Sequence, residues 1–148
     1  MQDQGEIKDA IYCYKKTLAI NPNFSEARHL INSLTGNTTS SPPEGYVEKL
    51  FNYYAHNFEQ SLVDKLKYQT PKVLAEIIMN QSQESLGSVL DLGCGTGLMG
   101  IEVSQYCQNL EGVDISQSML EKAKDKKIYN KLFHNDIVRY LTTETLNF

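Results

Sequence analysis

Hydrophobic residues at the start of the chain recur at helical spacing. Apolar positions return every three or four residues between Ile7 and Leu18, which places them on one face of a helix. Pro22 and its two flanking asparagines end this pattern, and a second apolar face follows between Ala27 and Ile31. The pattern therefore predicts two short helices at the start of the chain.

Helical spacing returns in the middle of the chain, after a segment with almost nothing apolar to bury. Residues 36–45 are rich in Gly, Ser, Thr and Pro, which is typical of a linker. Apolar residues then recur at helical spacing over residues 46–67. A further helix is expected to start at Pro71, because proline is well tolerated in the first turn.

The last part of the chain changes to short apolar runs that alternate with helical spacing. Strands are predicted over residues 88–92, 110–114 and 131–134, with helices over 98–107 and 117–126 between them. This alternation is typical of a parallel sheet with crossover helices. The predicted fold class is α/β, a Rossmann-like parallel sheet of three strands preceded by an all-α segment.

Composition and charge exclude several classes of protein. The chain has 148 residues, of which 41% are hydrophobic and 22% charged, as in ordinary globular domains. No apolar run approaches the roughly 18 residues that cross a bilayer, and the N-terminus lacks the features of a secretory signal. We therefore expect a cytoplasmic protein without a membrane partner. The net charge of -4, with scattered Lys and Arg, predicts no nucleic-acid partner.

The cysteines and histidines carry little signal for metal binding. The three cysteines lack CxxC spacing, so they indicate neither a zinc pattern nor a disulfide framework. The histidines His29, His56 and His134 are far apart, and none has a Cys or acid at ligand spacing. We therefore predict no metal site.

A glycine-rich segment, residues 89–100, follows the first predicted strand and opens a helix. Gly93 and Gly95 let the chain turn sharply and let a ligand approach the backbone closely. Asp114, at the end of the second predicted strand, stands where such a fold holds the hydroxyls of a ribose. Asp91 would repel a pyrophosphate but suit a cofactor with a cationic end. These residues predict a nucleoside cofactor and argue against NAD.

The same residues resemble the class I methyltransferases that use S-adenosyl-L-methionine. Residues 91–97, Asp-Leu-Gly-Cys-Gly-Thr-Gly, resemble the first motif of this family, and residues 112–120 resemble the second. The resemblance implies that the glycines, with the small Cys94 between them, lie against the methionine part and that Asp91 holds its ammonium. It also implies that Asp114 binds the ribose and that Ile115 packs on the adenine.

Two further segments extend the resemblance. Asp136 and Ile137 are similar to the third motif, in which the acid accepts from the adenine amino group and the next residue lines the ring. Residues 50–71 resemble the helical cap of small-molecule methyltransferases, in which an aromatic residue closes over the cofactor. Tyr54 is the candidate for that aromatic residue, and packing of the cap onto the sheet is the alternative. The implied cofactor site comprises Asp91, Gly93, Cys94, Gly95, Asp114, Ile115, Asp136, Ile137 and Tyr54.

The first helix resembles part of a tetratricopeptide repeat. The glycine, alanine, tyrosine and proline usual in the second helix of that repeat stand at Gly5, Ala10, Tyr14 and Pro22. An ordinary amphipathic hairpin is the alternative. The predicted domains are tetratricopeptide-like helices (1–35), a linker (36–45), the helical cap (46–86) and the cofactor-binding half of a methyltransferase domain (87–148).

The resemblance also implies that the chain is a fragment or the product of a split or shortened gene. The sheet of this family has more strands than the three predicted here, so we expect weak cofactor binding and no turnover. The function implied is that of a methyltransferase, with a small-molecule acceptor favoured and the catalytic residues unidentified. The alternative is a non-catalytic interaction module that binds a protein partner through the repeat helices.

Overall fold

A computed structural model describes residues 4–39, 41–43, 45–81 and 85–143. The chain divides into two compact units, Met1–Val47 and Glu48–Phe148. The predicted domain ranges also include residues 1–3, 40, 44, 82–84 and 144–148, which lie outside the described residues.

Two helices, α1 (Gln4–Ile20) and α2 (Ser25–Leu34), make up most of the first unit, as the apolar spacing predicted. In the turn between them, the N–H of Phe24 donates to the carbonyl of Asn21 at 3.1 Å. Ala27 of α2 is fully buried. The resemblance to a tetratricopeptide repeat stays a prediction, because two helices and a turn are equally an ordinary helical hairpin.

The cap consists of three helical segments rather than one long helix and its successor. These are α3 (Tyr46–Tyr54), a π-helical turn (Gln60–Lys65) and α4 (Thr70–Gln81). The helical spacing over residues 46–67 thus corresponds to separate helical segments. The helix ends at Tyr54, and a turn follows in which the carbonyl of Tyr54 accepts a hydrogen bond of 3.1 Å from the N–H of Asn57. Ala55 is buried in this turn. Tertiary packing at this turn overrides the helical spacing of the sequence.

Three parallel strands form the sheet in the order β1-β2-β3, with β1 at Gly87–Leu92, β2 at Cys107–Asp114 and β3 at Lys131–His134. Leu92 lies beside Val113 and Asp114 beside His134, so all three carboxyl ends meet at one edge. This arrangement confirms the predicted Rossmann-like parallel sheet. Within the described ranges, β1 pairs with β2 alone.

Crossover helices α5 (Leu98–Val103) and α6 (Gln117–Asp125) connect the strands, and α7 (Ile137–Thr143) follows β3. A 3-10 turn continues α5, and β2 begins at Cys107, three residues before the predicted start. The sequence prediction is wrong there because the carbonyl of Tyr106 accepts from the N–H of Leu86 at 2.9 Å, which draws this segment into the sheet.

The core of the second unit lies where α4 and α5 meet the sheet. Ala75, Val103 and Leu110 are buried there, and Met99 and Tyr129 pack against them. No helix in the described part of the chain is long and apolar enough to cross a membrane.

Candidate functional site

The loop between β1 and α5 carries its glycines in left-handed backbone conformations. Gly93 has φ +73° and Gly95 has φ +53°, values that residues with a side chain rarely adopt. A Cβ built on Gly95 would meet no atom within 4 Å, and one on Gly93 would meet Cδ1 of Ile137 alone, at 3.5 Å. The backbone of this loop is therefore open to a ligand.

Asp114 joins this loop to the end of β2. Its Oδ2 accepts from the N–H of Gly95 and its Oδ1 from the N–H of Ser116, both at 2.8 Å. The N–H groups of Gly93 and Cys94 donate to the carbonyl of Val113 at 2.8 and 3.0 Å. Three of the loop's own amides thus hold the loop against β2 without the help of a ligand.

Asp91 lies at the end of β1, and its Oδ2 accepts from the hydroxyl of Tyr129 at 2.7 Å. Burial raises the pKa of the Asp91 carboxyl, the hydrogen bond from Tyr129 opposes this rise, and the negative charge of Asp114 adds to it. Tyr129 comes from the segment before β3 and was missed in the sequence analysis. Its pKa is raised by burial and by the neighbouring Asp91 carboxylate, so the hydroxyl remains a donor.

Cys94 is a small buried side chain in the loop rather than a nucleophile. Burial raises the pKa of its thiol, and the charges of Asp91 and Asp114 raise it further. The reactive thiolate form is therefore disfavoured.

The residues of the third predicted motif lie at the same edge of the sheet. The N–H of Asn135 donates to the carbonyl of Asp114 at 3.0 Å, which places the following segment beside the end of β2. Asp136 accepts from the N–H of Arg139 at 3.0 Å and so caps α7. The Ile137 side chain lies against Gly93, and Ile115 is half-buried between the ends of β2 and α6.

A cavity of about 160 Å³ lies between the glycine loop and the cap. Phe58, Leu62 and Tyr68 line it from the cap, and Asp91 lines it from the sheet. Tyr54 does not line this cavity: it is 53% exposed and packs edge-on against Tyr53. The aromatic side chains of the cap that line this cavity are thus Phe58 and Tyr68, and the proposed role of Tyr54 stays a prediction.

Thr96 contributes a buried polar atom to the same region. Its side chain is 1% exposed, and its Oγ1 has no hydrogen-bond partner of normal geometry in the described part of the chain. An unsatisfied hydroxyl of this kind costs stability unless a ligand or water completes it. The open loop and this hydroxyl fit a polar cofactor end placed against the loop.

Asn52 attaches the cap to the start of α6. Its Oδ1 accepts from Oγ of Ser116 at 2.7 Å and from the N–H of Ser118 at 3.1 Å. Ser116 is itself the N-cap of α6, since its Oγ accepts from the N–H of Met119 at 3.2 Å. Asn52 therefore completes the cap of a helix that is distant in sequence.

Glu59 makes a second attachment between the cap and α6, through an ion pair and hydrogen bond with Lys126. Burial alone would raise the pKa of the Glu59 carboxyl, but Lys126, the nearby Thr96 hydroxyl and Lys122 together lower it. Asn52 and Glu59 thus both join the cap to α6 through polar partners.

We expect Asn52→Ala to lower the free energy of unfolding by about 1 to 2 kcal/mol, because it removes the acceptor for two donors at α6. Urea unfolding followed by circular dichroism measures this loss. Asn52→Asp keeps an acceptor beside the helix N-terminus and should retain most of the stability. Asn57→Ala, at an exposed position of the neighbouring turn, is the matched control. Equal losses for the Asn52→Ala and Asn57→Ala variants would contradict the capping role.

No group of three or more His, Cys, Asp or Glu side chains within the described ranges is placed to hold a metal ion. The site is instead defined by a glycine loop, two carboxylates and the aromatic residues of the cap.

A comparison with protein families agrees with the parallel sheet and its glycine loop. Residues 89–146 match a family model described as a methyltransferase domain. With the Rossmann-like sheet, this match supports a class I methyltransferase. The cofactor of this class is S-adenosyl-L-methionine, in agreement with the cofactor that the sequence motifs predict.

Particular relatives match over part of their length. An uncharacterized methyltransferase of Schizosaccharomyces pombe is 25% identical over 113 residues, covering 69% of this chain and 38% of the relative. The 18S rRNA (guanine-N(7))-methyltransferase of Mus musculus is 31% identical over 99 residues, covering 66% of this chain and 34% of the relative. The chain thus spans about a third of these relatives' length. The solved DhpI–SAH complex has a TM-score of 0.49 and 20% identity, covering 67% of this chain and 46% of that one.

Proposed function

We propose that this chain binds S-adenosyl-L-methionine at the carboxyl edge of its sheet and contributes the cofactor site of a methyltransferase. The observation that carries the proposal is the open glycine loop flanked by carboxylates at the ends of two adjacent strands, Asp91 on β1 and Asp114 on β2. Neighbouring acids of this kind suit a ligand with a cationic end and a hydroxylated sugar.

The methionine end of the cofactor fits the cavity under the cap. Asp91 lines this cavity and would attract the ammonium, while Phe58 and Tyr68 would exclude water from its apolar part. At about 160 Å³ the cavity is smaller than the roughly 300 Å³ at the lower end of ligand pockets, so it suits a part of the cofactor. The buried Thr96 also lines this cavity.

The nucleoside end would extend along the ends of β2 and β3. Each oxygen of Asp114 already accepts from one backbone N–H, and a carboxylate oxygen can accept a second hydrogen bond, here from a ribose hydroxyl. Ile115 and Ile137 offer apolar contacts for a flat base, and Asp136 would accept from its amino group.

The bound cofactor would supply a methyl group on a sulfonium, and this chain's residues would hold and orient it. We propose a small molecule as the methyl acceptor, supported by the net charge of -4 and the scattered basic residues. One of the relatives is a methyltransferase of 18S rRNA, so nucleic acid is the alternative acceptor to be compared with a small molecule.

Calorimetric titration with S-adenosyl-L-homocysteine tests the proposed site directly. We expect micromolar binding to the full chain, because the loop and Asp114 are already in place. NADH is the matched control ligand, since it shares the adenosine but carries a pyrophosphate that Asp91 repels. Equal affinity for the two ligands, or no binding of S-adenosyl-L-homocysteine by the folded chain, would contradict the proposal.

A further inference from the structure

Tyr129 occupies a slot formed by three glycines from different parts of the second unit. A Cβ on Gly97 would lie 3.0 Å from its Cε2, one on Gly100 would lie 2.3 Å from its hydroxyl, and one on Gly112 would lie 3.0 Å from its Cε1. Larger residues at these positions would displace the ring. The absence of side chains at these glycines therefore determines where the Tyr129 ring lies.

The backbone beside Tyr129 is fixed as well. Asn130 donates its N–H to the carbonyl of Leu110 at 2.7 Å, and its Oδ1 accepts from the N–H of Leu110 at 2.8 Å. These two hydrogen bonds attach the segment to the middle of β2. The Tyr129 hydroxyl consequently reaches Asp91 from a rigid support, at 2.7 Å.

We propose that Tyr129 is a positioning residue of the cofactor site, whose hydroxyl holds one oxygen of Asp91 and leaves the other available to a cationic ligand. Oδ1 of Asp91 makes no hydrogen bond to any residue in the described ranges, and Asp91 lines the cavity under the cap. This inference rests on the proposed function, because the cationic ligand is the ammonium of S-adenosyl-L-methionine.

The groups facing Asp91 decide how its charge responds to pH. Tyr129 donates to it, Asp114 repels its charge from the end of β2, and Cys94 lies near it in the loop. Burial and Asp114 raise the pKa of Asp91, and the Tyr129 hydroxyl lowers it. Removing that hydroxyl should raise the Asp91 pKa further, so that the carboxylate is lost at a higher pH.

Tyr129→Phe separates positioning from packing, because it keeps the ring in its slot and removes the hydroxyl alone. We expect the titration midpoint of Asp91, followed by carboxyl ¹³C NMR in the unliganded full chain, to rise above its wild-type value. The dissociation constant for S-adenosyl-L-homocysteine should rise roughly threefold to tenfold. As the pH is lowered, the affinity of the Tyr129→Phe variant for this ligand should begin to fall at a higher pH than that of the wild type, because Asp91 becomes protonated earlier.

Asp91→Asn assigns the carboxyl resonance, and Tyr106→Phe is the matched control. Tyr106 is 37% exposed and lies in the 3-10 turn just before β2, at the opposite end of that strand from Asp114, so its variant should leave the Asp91 midpoint unchanged. If Tyr129→Phe also leaves that midpoint unchanged, the positioning role is overturned, and Tyr129 is a packing residue only.

A measurement on the wild type covers the case in which Tyr129→Phe does not fold. The Cζ resonance of Tyr129 should shift with the same midpoint as Asp91, since its hydroxyl donates to that carboxyl; independent titration would overturn the proposal. These NMR readouts need no ligand. A wild-type chain that fails to bind S-adenosyl-L-homocysteine while showing the shared midpoint would therefore count against the proposed function and not against the Tyr129–Asp91 arrangement.

Discussion

Asp114→Ala is expected to reduce the affinity for S-adenosyl-L-homocysteine by about 100-fold or more. The variant removes the acceptor that we propose for the ribose hydroxyls and also the two hydrogen bonds from Gly95 and Ser116. Each backbone donor left unsatisfied in a buried place costs roughly 1 to 3 kcal/mol. The glycine loop should therefore lose both its ligand contact and its support, as measured by calorimetric titration and urea unfolding.

Two further variants separate the causes of this loss. Asp64→Ala removes an equal charge from an exposed position of the π-helical turn and should leave binding unchanged. Asp114→Asn retains one carbonyl oxygen for a backbone donor, so it should cost less stability than Asp114→Ala while still weakening binding. If the Asp114→Ala variant binds S-adenosyl-L-homocysteine with wild-type affinity, the proposal that Asp114 binds the ribose is wrong.

Gly100→Ala should destabilise the fold by roughly 1 to 3 kcal/mol, against the usual effect of this substitution. Glycine to alanine inside a helix ordinarily stabilises by about 1 kcal/mol. Here the new Cβ would lie 2.3 Å from the hydroxyl of Tyr129, 2.6 Å from its Cζ and 3.0 Å from Cδ1 of Ile128. These contacts are too close for flexible adjustment, because Tyr129 is also held by Asp91. Urea unfolding monitored by circular dichroism measures the change.

A double-mutant cycle identifies the source of that cost. Tyr129→Phe removes the atom nearest to the new methyl group, so Gly100→Ala should cost less in the Tyr129→Phe background than in the wild type. Part of the cost should remain, since the ring carbon still lies too close. An equal cost in both backgrounds would mean that the clash lies elsewhere, and a stabilising Gly100→Ala would show that the slot readily widens.

The sheet and the glycine loop could be predicted because their signals are local in sequence. A short apolar run followed by glycines at residues 93, 95 and 97 predicts a strand, a sharp turn and a helix, and the structure has all three. Parallel pairing then follows from the alternation of strands and helices. It also brings the carboxylates of Asp91 and Asp114 to one edge, as their positions at strand ends imply.

The supporting contacts of the site could not be predicted because they join residues that are far apart. Tyr129 and Asp91 are 38 positions apart, and Asn52 lies 64 positions from Ser116. Such pairs leave no periodic trace in the sequence. The one available signal for Tyr129 was the presence of two glycines outside the loop, Gly100 and Gly112. A side chain at either position would collide with the aromatic ring of Tyr129. The turn after Tyr54 was not predicted either, because the apolar spacing of the sequence continues across it.

The three hydrogen bonds that hold the glycine loop against β2 bear on the kinetics of recognition. The loop is preorganised, because the amides of Gly93, Cys94 and Gly95 already donate hydrogen bonds to Val113 and Asp114. A ligand entering such a loop does not have to order it, and the entropy that ordering would cost is absent from the binding free energy. Differences in affinity between ligands would then arise mainly in the rate of dissociation, through the contacts each ligand makes, rather than in a slow step of loop closure.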